Sequence, residues 1–277
     1  MAIATLDQYI ASKKQRIPMV KTASRTSVAL IPFSTFDLAG QPAGGTLAGT
    51  STTAGVVPTS STAGCPLIDT NTGSYYLTKI EYGNTVISRM NIYDMLWKGG
   101  AYAFTAGTTT LSAQPAISGR CPDYAGGATF GNGVEIWVEV STAFVTGTAW
   151  QITVTYTNSA GTTGRTSVIS VAQAAAALTL GKMFQLALQS GDSGVQKIES
   201  VIATNGGTAM TAGAVNVLLL RPLTTDLRIR IANEGGVYDM LSTGMPIIYQ
   251  TSALIMTVQA DSTSTGLPHC VLEVASA

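Results

Sequence analysis

Apolar and polar residues alternate with a period of two over much of the chain beyond residue 75. In the stretch 149–157, Trp150, Ile152, Val154 and Tyr156 alternate with Gln151, Thr153, Thr155 and Thr157. This is the signature of a β-strand with one buried and one wetted face. Asn158, Ser159, Ala160 and Gly161 then end it with turn chemistry. Similar patterns predict strands at 75–82, 86–93, 134–140, 166–171, 183–188 and 195–202. Further strands are predicted at 215–220, 227–231, 247–250, 253–259 and 270–274. Many short strands separated by glycine-rich turns predict an all-β sandwich or barrel. A jelly roll is preferred to an immunoglobulin-like sandwich.

The start of the chain departs from this pattern. Thr5 followed by Gln8 is a capping-box pair, and Leu6, Tyr9 and Ile10 make a narrow apolar stripe. A short helix is predicted there, with Lys13, Lys14 and Arg16 at its C-terminal end, where the helix dipole favours cations, and Pro18 as its stop. With Lys21 and Arg25, these hold a third of the 15 basic residues. Residues 1–24 are read as a helix and arm that docks on a partner or, equally, as a solvated helix end. On the arm reading, deleting residues 1–25 weakens attachment and leaves the fold intact. Residues 40–73, rich in Gly, Thr, Ser and Pro, are read as a long loop or extended arm, and such loops inside compact proteins are usually functional. A second short helix is expected at 173–180, ended by Gly181.

Three short matches recur in the same order. Arg-Thr-Ser-Val occurs at 25–28 and 165–168, Lys-Ile-Glu at 79–81 and 197–199, and Tyr-Asp-Met-Leu at 93–96 and 238–241. They suggest two related β-units, divided near Gly161 into 25–160, which carries the long loop, and 161–277.

Composition changes the picture in one respect. Charged residues make up 11% of the 277, with 15 basic and 15 acidic side chains and no formal net charge. An ordinary globular chain carries roughly 25%. Near-zero net charge gives little repulsion between copies, so such surfaces associate. A burying surface and the low-charge coat of an extracellular β-protein both fit. No apolar run approaches the roughly 20 residues that span a bilayer, and the N-terminus lacks the order of a signal peptide. The chain is therefore expected to be made in a cytoplasm, with no membrane partner.

Candidate chemistry is sparse. Cys65, Cys121 and Cys270 are an odd number without C-x-x-C spacing, which argues against a disulfide framework or structural zinc. Cys270 falls in phase with Leu272 and Val274, on a core face, and a bridge between Cys65 and Cys121 stays open. His269 is the one histidine. It is expected to face outward, opposite to Cys270, so the two cannot form a dyad. No nucleophile elbow supports a triad. Glu135 and Glu139 share a strand face with Trp137, but four residues along a strand span roughly 13 Å, against roughly 5–10 Å in glycosidase pairs. They are read as a solvated face or an interface rim. A calcium loop from Asp69 fails at its twelfth position, Ile80. No P-loop or dinucleotide fingerprint is present. Arg228 and Arg230 lie on one strand face and are too few for phosphate binding. They suit a protein interface, where arginine is enriched, or a solvated face. The chain is thus read as a non-enzyme with no catalytic residue, cofactor, metal or nucleic-acid partner. Its candidate protein-interface residues are Lys13, Lys14, Arg16, Arg228 and Arg230.

The stretches TLDQYIASKKQ, KTASRTSVALIPFSTFDLAGQPAGGTLAG, GVVPTSSTAGCPLI, YLTKIEYGNTVISRMNIYDMLWKGGAYAF and QITVTYTNSAGTTGRTS resemble a group of tailed-bacteriophage virion structural proteins. The likeness continues in VEIWVEVSTAF, LQSGDSGVQKIESV and VNVLLLRPL and covers most of the chain. It implies a capsid decoration or cement protein that binds the major capsid protein and copies of itself, with a trimer favoured, located in the virion. It implies no site residues. The alternative is a tail, collar or baseplate component, including one that binds a host receptor or glycan. Surface tryptophans at Trp97, Trp137 or Trp150 would favour it.

Overall fold

The structure is a computed structural model, and it describes residues 5–49, 51–69, 75–104, 107–111, 114–144, 150–171, 179–205, 212–241 and 244–276. The chain is all-β with a short N-terminal helix, built from curled antiparallel sheets in a sandwich. In chain order the first elements are α1 (Leu6–Ala11), β1 (Lys13–Lys21), β2 (Phe33–Ser34), β3 (Gly40–Gln41), β4 (Ser51–Val56), β5 (Tyr75–Gly83) and β6 (Ser88–Ala103). Then come β7 (Gly107–Thr110), a 3-10 turn (Ser118–Arg120), β8 (Glu135–Thr142), β9 (Trp150–Asn158), β10 (Arg165–Val171) and β11 (Met183–Leu186). The last are β12 (Val195–Asn205), β13 (Ala214–Pro222), β14 (Leu227–Ile229), β15 (Gly235–Asp239), β16 (Ile247–Ile248), β17 (Leu254–Ala260) and β18 (His269–Ser276). The twelve predicted strands are all present. Most of the 173–180 helix lies outside the described residues.

The chain forms two compact units. The first comprises residues 1–46, 59–94 and 223–277, and the second 47–58 and 95–222. The division expected near Gly161 falls inside a hairpin, because Arg165 of β10 pairs with Tyr156 of β9. The short repeats do not follow the units either. Tyr93 and Tyr238 both lie in the first unit, and 25–28 is irregular where 165–168 is strand.

In the first unit one sheet runs β15-β5-β18-β1-β3, with β16 also on β5. The first part of β6 pairs with β17 from Ser88↔Ala260 to Asp94↔Leu254. Ile17, Met19, Leu77, Ile80, Met90, Ile92, Met256, Leu272 and Val274 fill its core. Alternation places them there: in β18, Cys270, Leu272 and Val274 are buried and His269 is exposed, as expected. Asp94 is fully buried and accepts from Ser252 Oγ (2.7 Å) and Ala253 N (2.9 Å), which satisfies its carboxylate.

In the second unit one sheet runs β10-β9-β12-β7, and β8 pairs with β11 and β13. Val215, Val217, Leu218, Leu219 and Leu220 of β13 are all buried, as is Asn216 among them, as residues of both parities should be in a strand covered on both faces. Trp150 packs against Phe104 at 5.8 Å and Phe184 at 5.5 Å between ring centroids, and Phe104 meets Phe144 at 5.0 Å. Such tilted aromatic pairs add about 0.5–1.5 kcal/mol each beyond area burial.

The N-terminal expectation is half corrected. The capping box forms, with Gln8 N–H donating to Thr5 Oγ1 and Thr5 N–H to Gln8 Oε1, both at 3.2 Å. The helix ends at Ala11, however, and Lys13–Lys21 is a strand lying between β18 and β3. Pro18 sits inside that strand and does not stop the helix. Lys21 N–H bonds Pro268 O on the β18 side, so by alternation the nitrogen of residue 18 faces the opposite side. There β3 reaches only Val20 and Lys21, and a missing N–H costs the ladder nothing. Within the presumed loop 40–73, β3 and β4 are ordered as short strands.

Candidate interaction surface

Three of the five basic residues proposed from sequence, Lys13, Arg16 and Arg228, pair with this chain's own acids. Lys13 Nζ lies 3.2 Å from Asp69 Oδ2, and Arg16 Nη2 lies 3.0 Å from Glu81 Oε2. Arg16, Glu273 and Lys79 sit in one cross-strand row through β1, β18 and β5, and Lys79 reaches both Glu81 (3.0 Å) and Glu273 (3.7 Å). Lys14 Nζ donates to Tyr9 O (2.9 Å) and Ile10 O (3.4 Å) and lies over the Tyr9 ring. It thereby serves the last carbonyls of α1. Tyr9 Oη donates to Glu273 Oε1 at 2.7 Å. Arg228 of β14 stands opposite Arg89, and Asp226 bridges the two at 3.3 and 3.4 Å. Arg230 is exposed, one residue past the end of β14. The structure therefore places Lys13, Lys14 and Arg16 on a strand of the first unit rather than a projecting arm, with Lys13 and Arg16 paired to acids and Lys14 to carbonyls.

Several buried polar side chains were not anticipated. Lys21 is 3% exposed and donates to Leu38 O (3.1 Å) and Pro42 O (3.3 Å), and burial lowers its pKa. Arg25 pairs with Asp37 beside it. Lys182 is buried with its ammonium 5.1 Å from the Phe184 ring, and burial lowers its pKa too. Glu139 is buried and accepts from Asn216 Nδ2 at 3.0 Å, while Glu135 accepts from Trp137 Nε1 at 2.7 Å. Of the two options, a solvated face or an interface rim, the solvated face fails at Glu139, because β8 is covered where a one-sided strand would be wet, while Glu135 stays half-buried. Trp97, Trp137 and Trp150 are all core residues, so none contributes to an exposed aromatic platform. Cys65, Cys121 and Cys270 are buried, and no disulfide joins them. His269 lines a depression of about 460 Å³ with Glu81 and Glu234. Among the described residues, no group of three or more His, Cys, Asp or Glu could hold a metal, and no helix is long and apolar enough to cross a membrane.

The most distinctive surface is the outer face of the sheet β10-β9-β12-β7. The register aligns Thr166, Thr155, Ser200 and Thr110 in one row across all four strands. Val168, Thr153 and Ile202 make the next row, and Gln151 and Thr204 follow. None of these side chains is charged. Charge enters at one end, at the register shift next to Glu199, whose carboxylate accepts from Thr157 Oγ1 (2.7 Å) and Gly164 N (3.2 Å). The sequence signal for this face was the Thr-x-Thr alternation of β9.

One carboxylate holds the hairpin behind that face. Asp192 accepts from Arg165 Nε (2.9 Å), Tyr156 Oη (2.6 Å) and Asn158 Nδ2 (2.7 Å). Burial alone would raise its pKa, but these three donors outweigh burial and hold it at about 2, below the ordinary 3.8. A pKa depressed by folding stabilises the fold above the ordinary value, and that stability is lost as pH falls from 3.8 towards 2. Asp192→Asn should therefore be less stable than the parent at pH 6, with the gap in Tm closing as pH falls through this window. A gap in Tm that stays constant down to pH 2 would remove Asp192 as the titrating group.

No protein-family model matches the chain, and no curated protein does. Among solved structures, the chain is similar to that of the infectious bursal disease virus Gx strain, at 11% identity and a TM-score of 0.20. That match covers 95% of this chain and 80% of the other. It is also similar to the VP2 subviral particle of infectious bursal disease virus, at 13% identity and a TM-score of 0.21, covering 96% and 79%. Superpositions this loose establish neither a shared fold nor a shared role.

Proposed function

We propose that the protein is a structural subunit of a tailed-phage virion, a decoration protein that binds the major capsid protein and copies of itself. The observation that carries this reading is the uncharged outer face of β10-β9-β12-β7. Burying an unpaired charge costs several kcal/mol, whereas a hydroxyl exchanges water for a partner's backbone groups at little net cost. Thr, Ser and Gln, with Val168 and Ile202 among them and one row crossing four strands, therefore form a surface that docks without stranding charge. The resemblance of the sequence to phage virion proteins supports the same reading. The protein's part is passive: it bridges shell subunits and resists their separation.

The test is co-sedimentation with phage heads that lack the protein. Saturable pelleting at a fixed ratio to the major capsid protein is expected, and Thr155→Lys should weaken it by about tenfold or more, since the new charge must be desolvated. Binding to isolated tails and not to heads would replace the decoration role with a tail role. Unchanged binding of Thr155→Lys would remove this face from the contact.

A further inference from the structure

We propose that β15 is a self-pairing edge, through which two copies of the chain join antiparallel about a twofold axis at Val237. The inference rests on strand geometry alone and does not depend on the virion reading. β15 ends its sheet and pairs, among the described residues, only with β5, from Gly235↔Gly83 to Asp239↔Lys79. Met240 N–H continues that ladder by bonding Thr78 O at 3.0 Å. In an antiparallel ladder alternate residues direct both main-chain groups to the same side. Residues 236 and 238 therefore face β5, and Gly235, Val237 and Asp239 direct their N–H and C=O groups away from it.

Exposed edges of this kind are usually guarded by proline, lysine, a bulge or a covering segment. The far side of the same sheet is guarded, with Pro18, Lys13 and Lys14 in β1 and a two-residue β3 beside it. Gly235-Gly-Val-Tyr-Asp239 has no proline or lysine, and its register with β5 has no shift. Val237 is 70% exposed, and Ile231 and Leu241 close by are 56% and 62% exposed.

The sequence of the strand selects a second copy as the occupant. A twofold centred on Val237 engages all five residues. Val237 meets Val237 of the second copy, and its main-chain groups point across the axis, as a hydrogen-bonded pair requires. Tyr238 then stands opposite Gly236, and Asp239 opposite Gly235, so each bulky residue faces one without a side chain. Glu234 stands opposite Met240. No two like charges meet, whereas a register centred on Asp239 would set two carboxylates opposite each other, which is destabilising. The two five-stranded orders would then run on as one sheet across both copies.

Cysteine cross-linking reads this register. Paired Cα atoms at a hydrogen-bonded position lie about 5.5 Å apart, within the roughly 4.4–6.8 Å that a disulfide spans. Val237→Cys should give a covalent dimer with oxidised glutathione. Leu241→Cys should not, since its two copies would lie roughly 26 Å apart along the strands. The native cysteines are buried and should not compete. In sedimentation velocity, Val237→Lys should raise the dimer dissociation constant by about tenfold or more, because two ammonium groups then face each other on the axis. Its circular dichroism should be unchanged, since the side chain lies outside the core. Equal cross-linking at positions 237 and 241 would overturn the proposal, as would identical masses of parent and Val237→Lys at every concentration. Were Val237→Lys to misfold, the cross-linking pair alone would decide.

Discussion

Deletion of residues 1–25 is expected to unfold the first unit, while deletion of residues 1–11 leaves it folded. The difference is β1. Its residues Lys13 to Val20 pair with Ser276 to His269 of β18, so the two ends of the chain are adjacent strands of one sheet. Ile17 and Met19 are 1% and 2% exposed, and burying such side chains stabilises by about 1.5–3 kcal/mol each. Removing the strand also bares the β18 ladder, whose Leu272 and Val274 complete the same core. Against a total stability of about 5–15 kcal/mol, the loss of two core side chains and a whole ladder is decisive. The helix contributes far less. None of its residues is buried, and Leu6 and Ile10 are 70% and 64% exposed. Circular dichroism and thermal melts of the two truncations would separate them. A cooperative melt near the parental Tm in the longer deletion would show that β1 is dispensable.

Trp97→Ala is expected to destabilise the second unit by about 3–5 kcal/mol, the usual cost of removing a buried tryptophan. Trp97 is fully buried, and its Nε1 donates to Ala54 O at 3.0 Å, which ties β4 to β6. The truncation leaves both a cavity and an unsatisfied carbonyl. Gly55 adds a second test of the same contact. It has φ +64, and a Cβ there would lie 2.4 Å from the indole ring. Gly55→Ala should therefore be strongly destabilising in the parent and much less so once Trp97 is alanine, leaving mainly the cost of positive φ. Urea titrations of the four proteins form a double-mutant cycle. Additive losses would mean that the ring and the glycine are independent, contrary to the geometry.

The strands were legible wherever one face is buried and the other wet. β9 is the clearest case, since Trp150, Ile152, Val154 and Tyr156 are all within 1% of full burial. β18 was read equally well, with Cys270 inward and His269 outward. The rule misled at β8, where Glu139 sits in the outward phase and is nevertheless buried, because alternation reports parity along one strand and not what covers its other face. It also missed β1. Lys21 occupies an inward position, and Pro18 looks like a terminator to anyone who cannot see that its nitrogen faces an unpaired edge.

The candidate interface was less legible than the strands. Lys13, Arg16 and Arg228 looked available in sequence because their acids, Asp69, Glu81 and Asp226, are brought beside them by strand registers and turns. The Thr-x-Thr alternation announced an uncharged face, but only the pairing of β9 with β10 and β12 turned one strand's hydroxyls into rows.

By itself, the sequence determined the local terms: the all-β class, the position of most strands, the Thr5–Gln8 cap and the low charge. Each depends on neighbours a few residues apart, through backbone sterics, side-chain parity or composition. Only the tertiary structure decided which strands meet, where the chain divides into units, which charges are neutralised and which edge is left unpaired. Those outcomes depend on contacts between residues as distant as Lys13 and Ser276, and such contacts leave no periodic trace in the chain that makes them.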